Sequence, residues 1–189
     1  MPATLPIRML VETDVDAFCD HLATQDDVWI RNREMPYGPY SASTPPDRAA
    51  RRAKTLERWA KPLDVTGWRR SWGLLDGAAC VGVVTLIGGD LDASLHRVML
   101  GLGVEPPHRR QGHGRRLMHV AIDWARAEPT IDWIDLGVFR GNDGAFALYR
   151  DLGFREIGRT TDCFRVDGWR IETISMTLHV GAAADRPGK

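Results

Sequence analysis

One run in the middle of the chain concentrates groups that could hold an anion: Gly101-Leu102-Gly103-Val104-Glu105-Pro106-Pro107-His108-Arg109-Arg110-Gln111-Gly112-His113-Gly114-Arg115. Gly112 and Gly114 fall on the first turn of a predicted helix. There, successive backbone N–H groups face outward with no Cβ in the way, and the helix dipole adds partial positive charge. Arg109 and Arg110 supply full charge and planar donors at the rim, and Gln111 a neutral donor. Such a turn suits a pyrophosphate. The dinucleotide fingerprint GxGxxG does not fit, since Gly101 and Gly103 belong to the preceding strand and no third glycine follows at the right offset; the Walker lysine is also absent. His108, His113 and His119 are not spaced at i and i+4 and have no acidic partner motif, so no metal is expected. The basic run has no interleaved aromatics, and Lys plus Arg equals Asp plus Glu at 25 each, which argues against a nucleic-acid partner.

The elements that must position this run follow from periodicity and turn chemistry. A strand over residues 95–104 leads into it, and its Gly101 and Gly103 weaken a strand unless a backbone or ligand comes close. A helix over 112–127 follows, with Leu117, Val120, Ala121 and Trp124 on one face, and then a strand over 131–139. Strand–helix–strand order predicts a parallel pair with a right-handed crossover. A further helix starts at Asn142, buries Ala145, Phe146, Tyr149 and Leu152, and closes at Gly153. Upstream, residues 5–10 read as a strand, and Thr13 or Asp14 caps a helix carrying Val15, Phe18, Cys19 and Leu22. Residues 32–46 are a Pro-, Tyr- and Ser-rich loop, and a basic helix runs from Asp47 to near Pro62. Asp76-Gly77 and Asp167-Gly168 each join two apolar runs, 72–75 with 78–87 and 156–165 with 169–178, as hairpins. Trp124 and Trp133 read as core residues.

The run Arg109-Arg110-Gln111-Gly112-His113-Gly114 resembles the (R/Q)xxGx(G/A) signature of GCN5-related N-acetyltransferases, the GNAT superfamily, at the family's offset from its strand. Asn142-Asp143-Gly144-Ala145-Phe146-Ala147-Leu148-Tyr149-Arg150-Asp151-Leu152-Gly153-Phe154 resembles the family's second signature, NxxAxxLYxxxGF. The resemblance implies an α/β (α+β) domain whose mixed, mostly antiparallel sheet has a central parallel pair splayed to admit a pantetheine arm, with helices on both faces. It further implies acetyl-CoA as co-substrate. The backbone of Leu102, Gly103 and Val104 would line the arm, Arg109 to Gly114 (with Arg110, Gln111, Gly112 and His113) would take the pyrophosphate, Asn142 would hydrogen-bond the pantetheine, and Tyr149 would act as general acid toward the departing thiolate. For the base the family has no fixed position; Glu105 and His96 are the candidates, beside relay through ordered water. The segment 158–176 resembles the end of a bacterial subgroup that acetylates free amino acids, related small amines or phosphinothricin-like compounds, with Trp169, Arg170 and Thr173 departing from that pattern. The implied activity is direct acetyl transfer to a primary amine of a small molecule, with a protein's N-terminal or lysyl amine as the alternative acceptor and a non-catalytic CoA sensor as the alternative class. A homodimer is expected from the same resemblance.

Trp29, Tyr37 and Tyr40 flank the Pro-rich loop and are candidate walls of the acceptor pocket, where a narrow closed pocket favours a small amine and an open groove a peptide. Composition is that of one soluble globular domain, 43% hydrophobic and 26% charged, expected over residues 1–180 with a frayed tail over 181–189. The longest apolar stretch, near Cys80 to Ile87, is too short to span a bilayer, and Arg8, Glu12, Asp14 and Asp16 interrupt any export signal, so a cytoplasmic, membrane-free protein is expected. Cys19, Cys80 and Cys163 are widely spaced and read as small apolar fillers.

Overall fold

A computed structural model describes residues 4–32, 39–41, 43–44 and 46–181, with residues 29–32 described as backbone only. Strand β1 (Ile7–Met9) leads through a 3₁₀ turn (Glu12–Asp14) into α1 (Val15–Asn32). The expected capping role of Thr13 or Asp14 is modified: Asp14 lies within the turn, accepts the Val11 N–H at 2.9 Å and clasps Arg8 at 2.6 and 2.8 Å. The helix also runs to the end of what reads in the sequence as the start of a loop. Asp47 caps α2 (Arg48–Ala60) as expected, its carboxylate accepting the N–H groups of Ala49 and Ala50.

Strands β2 (Arg69–Asp76) and β3 (Ala79–Gly88) form the first hairpin. Asp76 pairs with Ala79, so the two loop residues are Gly77 and Ala78 rather than Asp76 and Gly77, and only Gly77 takes a positive φ, of 58°. This is the pattern of a II′ turn. β4 (Arg97–Val104), α3 (His113–Ala127) and β5 (Trp133–Phe139) follow, then α4 (Asp143–Asp151) and a hairpin of β6 (Arg155–Val166) and β7 (Trp169–His179). In this second hairpin Asp167 and Gly168 both have positive φ, 47° and 83°, the I′ turn that the dipeptide predicts.

The strands form one sheet in the order β1-β2-β3-β4-β5-β7-β6, antiparallel except for β4 and β5. β3 is buried almost end to end because both sheet faces are covered there. Val84 and Leu86 join Leu117, Met118, Ala121 and Ile122 of α3 in the main core, and Val83 joins Val15, Phe18 and Cys19 of α1 on the opposite face. Trp124 stands half-buried at the rim, edge-on to Trp68 and Trp72. Trp133 lies outside the core, against His179 at 4.6 Å and beneath Arg97, because it is the first residue of β5 and protrudes at the sheet's end. Cys19 and Cys80 are buried fillers, while Cys163 is only half-buried at an irregularity of β6. Among the described residues no helix is long and apolar enough to cross a membrane. Residues 182–189 of the expected tail lie outside the described residues.

Candidate active site

The parallel pair is short. Arg97, Val98 and Met99 pair with Trp133, Ile134 and Asp135, and beyond them no further pairing joins β4 to β5. At the closed end Arg97 grips Asp135 with two hydrogen bonds of 2.8 and 2.6 Å, and Thr177 adds a third to the same carboxylate at 2.6 Å. At the open end lies a cleft of about 580 Å³, lined by residues 100–104 of β4, residues 137–139 of β5, Asn142, Ala145 and Tyr149 at α4, Gln25 of α1, and Arg109.

The backbone direction of β4 in this cleft follows from one hydrogen bond. The Glu105 N–H donates to Val81 of β3, so the carbonyl of the same peptide, that of Val104, points the other way, into the opening. By strand alternation the polar groups of Leu102 and Leu100 point there too. Arg109 Nε already donates to the Val104 carbonyl at 2.8 Å. This folds Arg109 back over the strand end and onto the cleft wall.

Beyond β4 a 3₁₀ turn (Pro106–His108) drops the chain to α3. Arg110 and Gly112 take left-handed backbones, φ 60° and 80°, and Gly112 is the helix N-cap with no side-chain acceptor for the first-turn amides. A Cβ on Gly112 would meet nothing within 4 Å, so its need for glycine is conformational, whereas Gly114 faces Leu148 and Leu102 at ordinary contact distance. The uncapped first turn therefore presents free N–H groups and the positive end of the dipole. Gln111 does not stand free at the rim: its amide donates to the Pro107 carbonyl at 2.9 Å and braces the turn. Arg110 leans toward the start of α4, where a Cβ on Gly144 would lie 3.5 Å from its guanidinium. Burial, together with the positive charge of Arg116 and His108, pushes the His113 imidazole below its ordinary value.

Asn142 caps α4 by accepting the Ala145 N–H at 3.3 Å, and it lines the cleft. Tyr149 is buried at 6% exposure, packs against Phe154 at 5.9 Å, and lines the same cleft. Glu105 lines neither cavity described here; its carboxylate meets the fully buried His21 at 3.2 Å. His96 sits at the closed end of the parallel pair, its carbonyl accepting the N–H groups of Asp132 and Trp133. Of the loop aromatics, Tyr40 is exposed and lines a second cavity with Arg51 6.0 Å from its ring, while Tyr37 and the Trp29 side chain lie outside the described residues.

That second cavity, of about 450 Å³ and partly open, is bordered by α1, α2, Tyr40, β2 and β3, and it shares Gly101 with the cleft. With no side chain at position 101 the two spaces meet there. Sequence reasoning missed Gln25, a buried residue whose Nε2 has no partner among the described residues, and the residues of α2 that line the second cavity. Both were legible only as polar positions on helices whose apolar faces were read instead. Among the described residues no group of His, Cys, Asp and Glu could hold a metal ion.

The matching family model is that of the acetyltransferase (GNAT) family, over residues 30–154. This chain belongs to that family. The family is one of acetyltransferases. The N-alpha-acetyltransferase RimI of Mycobacterium tuberculosis is 39% identical over 67 residues, a match covering 35% of this chain and 40% of that relative's length. Among solved structures, a GNAT superfamily phosphinothricin acetyltransferase from Sinorhizobium meliloti in complex with acetyl-CoA superposes with a TM-score of 0.78 at 18% identity, covering 99% of this chain and 95% of that one. A ribosomal-protein-alanine N-acetyltransferase from Brucella melitensis gives 0.75 at 22% identity, covering 93% and 99%. At these identities the two structures share the fold. The GNAT chain here fits acetyl-CoA on its own features: an unpaired strand edge and the Gln25 amide, which has no partner among the described residues, line one cleft, and an uncapped helix start preceded by two left-handed residues follows the end of that strand.

Proposed function

We propose that this GNAT enzyme transfers the acetyl group directly to a primary amine of a small molecule, an amino acid or related amine. The observation that carries the reading is the pair of cavities that share Gly101, one along the splayed strand edge and one bordered by α1 and α2. In the first, the backbone of Leu102, Gly103 and Val104 lines the pantetheine arm and the Asn142 amide donates to it. The turn from Arg109 to Gly114, with Arg110, Gln111, Gly112 and His113, receives the pyrophosphate. Acetyl-CoA, when bound, supplies an activated thioester.

Tyr149 then delivers a proton to the departing sulfur. Phenols have a pKa of about 10 and thiols about 8.5, so the donation is uphill by roughly 2 kcal/mol, a gap that a dry site narrows. An alkyl ammonium is only about one part in 10³ neutral at pH 7, so the acceptor also needs a base. Glu105 is held by His21 away from both cavities, which favours relay through water. Among the described residues no cysteine lines either cavity, and burial pushes the Cys80 thiol up to about 12, which disfavours a thioester-linked acyl-enzyme.

The test is free-CoA release against amino acids, other small amines and N-terminal peptides. Tyr149→Phe keeps the packing against Phe154 and should lower kcat by roughly 10²-fold or more with acetyl-CoA affinity unchanged; an unchanged kcat removes the acid role. The RimI match favours a second reading, acetylation of a protein N-terminus. Release with peptides alone would select it. A cytoplasmic homodimer completes the proposal: β6 and its turn leave Ile157, Phe164 and Trp169 exposed, apolar surface that a second copy would cover, and light scattering gives the mass.

A further inference from the structure

Helix α1 turns two neighbouring stripes toward the two cavities. Phe18, Leu22 and Asp26, at helical spacing, line the second cavity, and Gln25 lines the cleft along β4. Gln25 and Asp26 are successive residues, and the two cavities share Gly101, so a single turn of α1 borders both spaces.

Transfer to an amine needs a group that takes a proton there, and few groups on these walls can. Among the described residues the ionisable ones are arginines, Lys54, the phenols Tyr40 and Tyr149, and two carboxylates, Asp26 and Asp47. Charged Lys and Arg have no lone pair to offer, and phenols ordinarily keep their proton at neutral pH. Asp47 is committed to the first-turn amides of α2, at 3.3 and 2.9 Å. Asp26 is held differently. Its Oδ2 accepts one bond from Arg51 at 2.7 Å, and its Oδ1 has no hydrogen-bond partner among the described residues. The carboxylate is only 11% exposed, and burial, helped by the neighbouring Asp27, pushes its pKa up against the pull of Arg51, which makes it a stronger base.

A second polar group of this cavity is also incomplete. Thr55, one turn along α2 from Arg51, is 1% exposed, and its hydroxyl has no partner among the described residues although it lines the cavity. The Thr55 hydroxyl and Asp26 Oδ1 offer a donor and an acceptor to a water or to the amine itself.

We infer that Asp26 is the catalytic base, taking the proton that the acceptor nitrogen loses as it bonds to the acetyl carbon, directly or through one water. This rests on the reading of direct transfer to an amine above, and it gives the water relay its end point. The nitrogen enters neutral and attacks with its lone pair. It becomes cationic as the N–C bond forms, and one N–H proton passes to Asp26. The C–S bonding pair leaves with sulfur, which takes its proton from Tyr149. Asp26 then holds one proton more and Tyr149 one fewer, and exchange through solvent restores both. The order of steps matters. A free alkyl ammonium, at about 10.4, lies roughly 6 units above an ordinary carboxyl, too far for direct removal. Attack makes the nitrogen far more acidic, and the cations Arg51, Lys54 and Arg58 on the same cavity wall favour loss of its charge.

The experiment measures kcat, KM for acetyl-CoA and melting temperature, with CoA release followed for whichever amine, small or peptidic, the parent uses best. Asp26→Asn keeps an oxygen for Arg51 and removes the base; kcat should fall about 10²-fold or more, with KM for acetyl-CoA and melting temperature unchanged. Asp26→Glu restores a carboxylate and should return kcat to within about ten-fold of the parent. Arg51→Gln breaks the same ion pair but leaves the carboxylate, and its kcat should stay within a few-fold of the parent. Equal losses of kcat in Asp26→Asn and Arg51→Gln would make Asp26 a structural partner of Arg51, and an unchanged kcat in Asp26→Asn would remove it from the reaction. Either outcome overturns the inference and leaves direct transfer standing. No CoA release by the parent with any amine overturns the transfer reading and the base with it.

Discussion

A buried amide without a partner costs a folded protein roughly 1–3 kcal/mol, and Gln25 carries one, unpartnered among the described residues, on the wall of the cleft beside β4. Such a group is retained where a ligand completes it. Gln25→Met keeps the length of the side chain and removes the unsatisfied donor. Its melting temperature should equal or exceed that of the parent, while KM for acetyl-CoA rises several-fold. A variant that is less stable with unchanged KM would assign Gln25 to packing instead. Neither the residue nor its role was legible in the sequence, because a single Gln on a helix is no signal until the fold brings it over Gly101 and Gly103. Tyr149, Asn142 and the glycine turn were legible because each belongs to a spaced motif in which backbone geometry restricts the residue type. Not legible were the local bonds of that turn: the Gln111 amide donates to the Pro107 carbonyl, and Arg109 to that of Val104.

At the scale of elements, the splay between β4 and β5 is what makes a cleft, and it needs a fixed closed end. Arg97 and Asp135 supply this clasp with two-point geometry, their side chains 35% and 20% exposed. Solvent screening at that exposure reduces such a pair to about 1 kcal/mol. A double-mutant cycle with Arg97→Met and Asp135→Asn should report a coupling near that value and a melting-temperature drop of about 2–4 °C for each single change. Coupling indistinguishable from zero would leave the closed end to backbone pairing alone. The two hairpins were legible because Asp-Gly dipeptides punctuate apolar runs. The start of β2 was not: the apolar run begins at Trp72, whereas the strand begins three residues earlier at Arg69. The same bias hid the cavity-facing stripe of α2, since periodicity reasoning looks for apolar faces that meet a core.

For the whole molecule, equal numbers of acidic and basic residues mean that no net charge drives unfolding near neutrality, and pH acts through a few perturbed groups. His113 is lowered from 6.5, first by burial. The native state then binds fewer protons than the unfolded chain. Its contribution is complete above pH 6.5 and is lost as pH falls from there to the lowered value. Asp14, lowered from 3.8 by its hydrogen bonds with Arg8, loses its contribution only below that pH. Asp26, raised from 3.8 by burial, acts oppositely and returns some stability as it protonates on the way down to 3.8. Melting temperature should therefore decline just below pH 6.5, recover slightly, and fall again in strong acid; His113→Gln should remove the first decline. Because His113 stands at the turn assigned to pyrophosphate, an anion there opposes the burial that lowers its imidazole. Saturating free CoA should flatten the decline below pH 6.5 and leave the acid limb in place. Parallel profiles with and without CoA would mean that the pyrophosphate does not reach the α3 N-terminus.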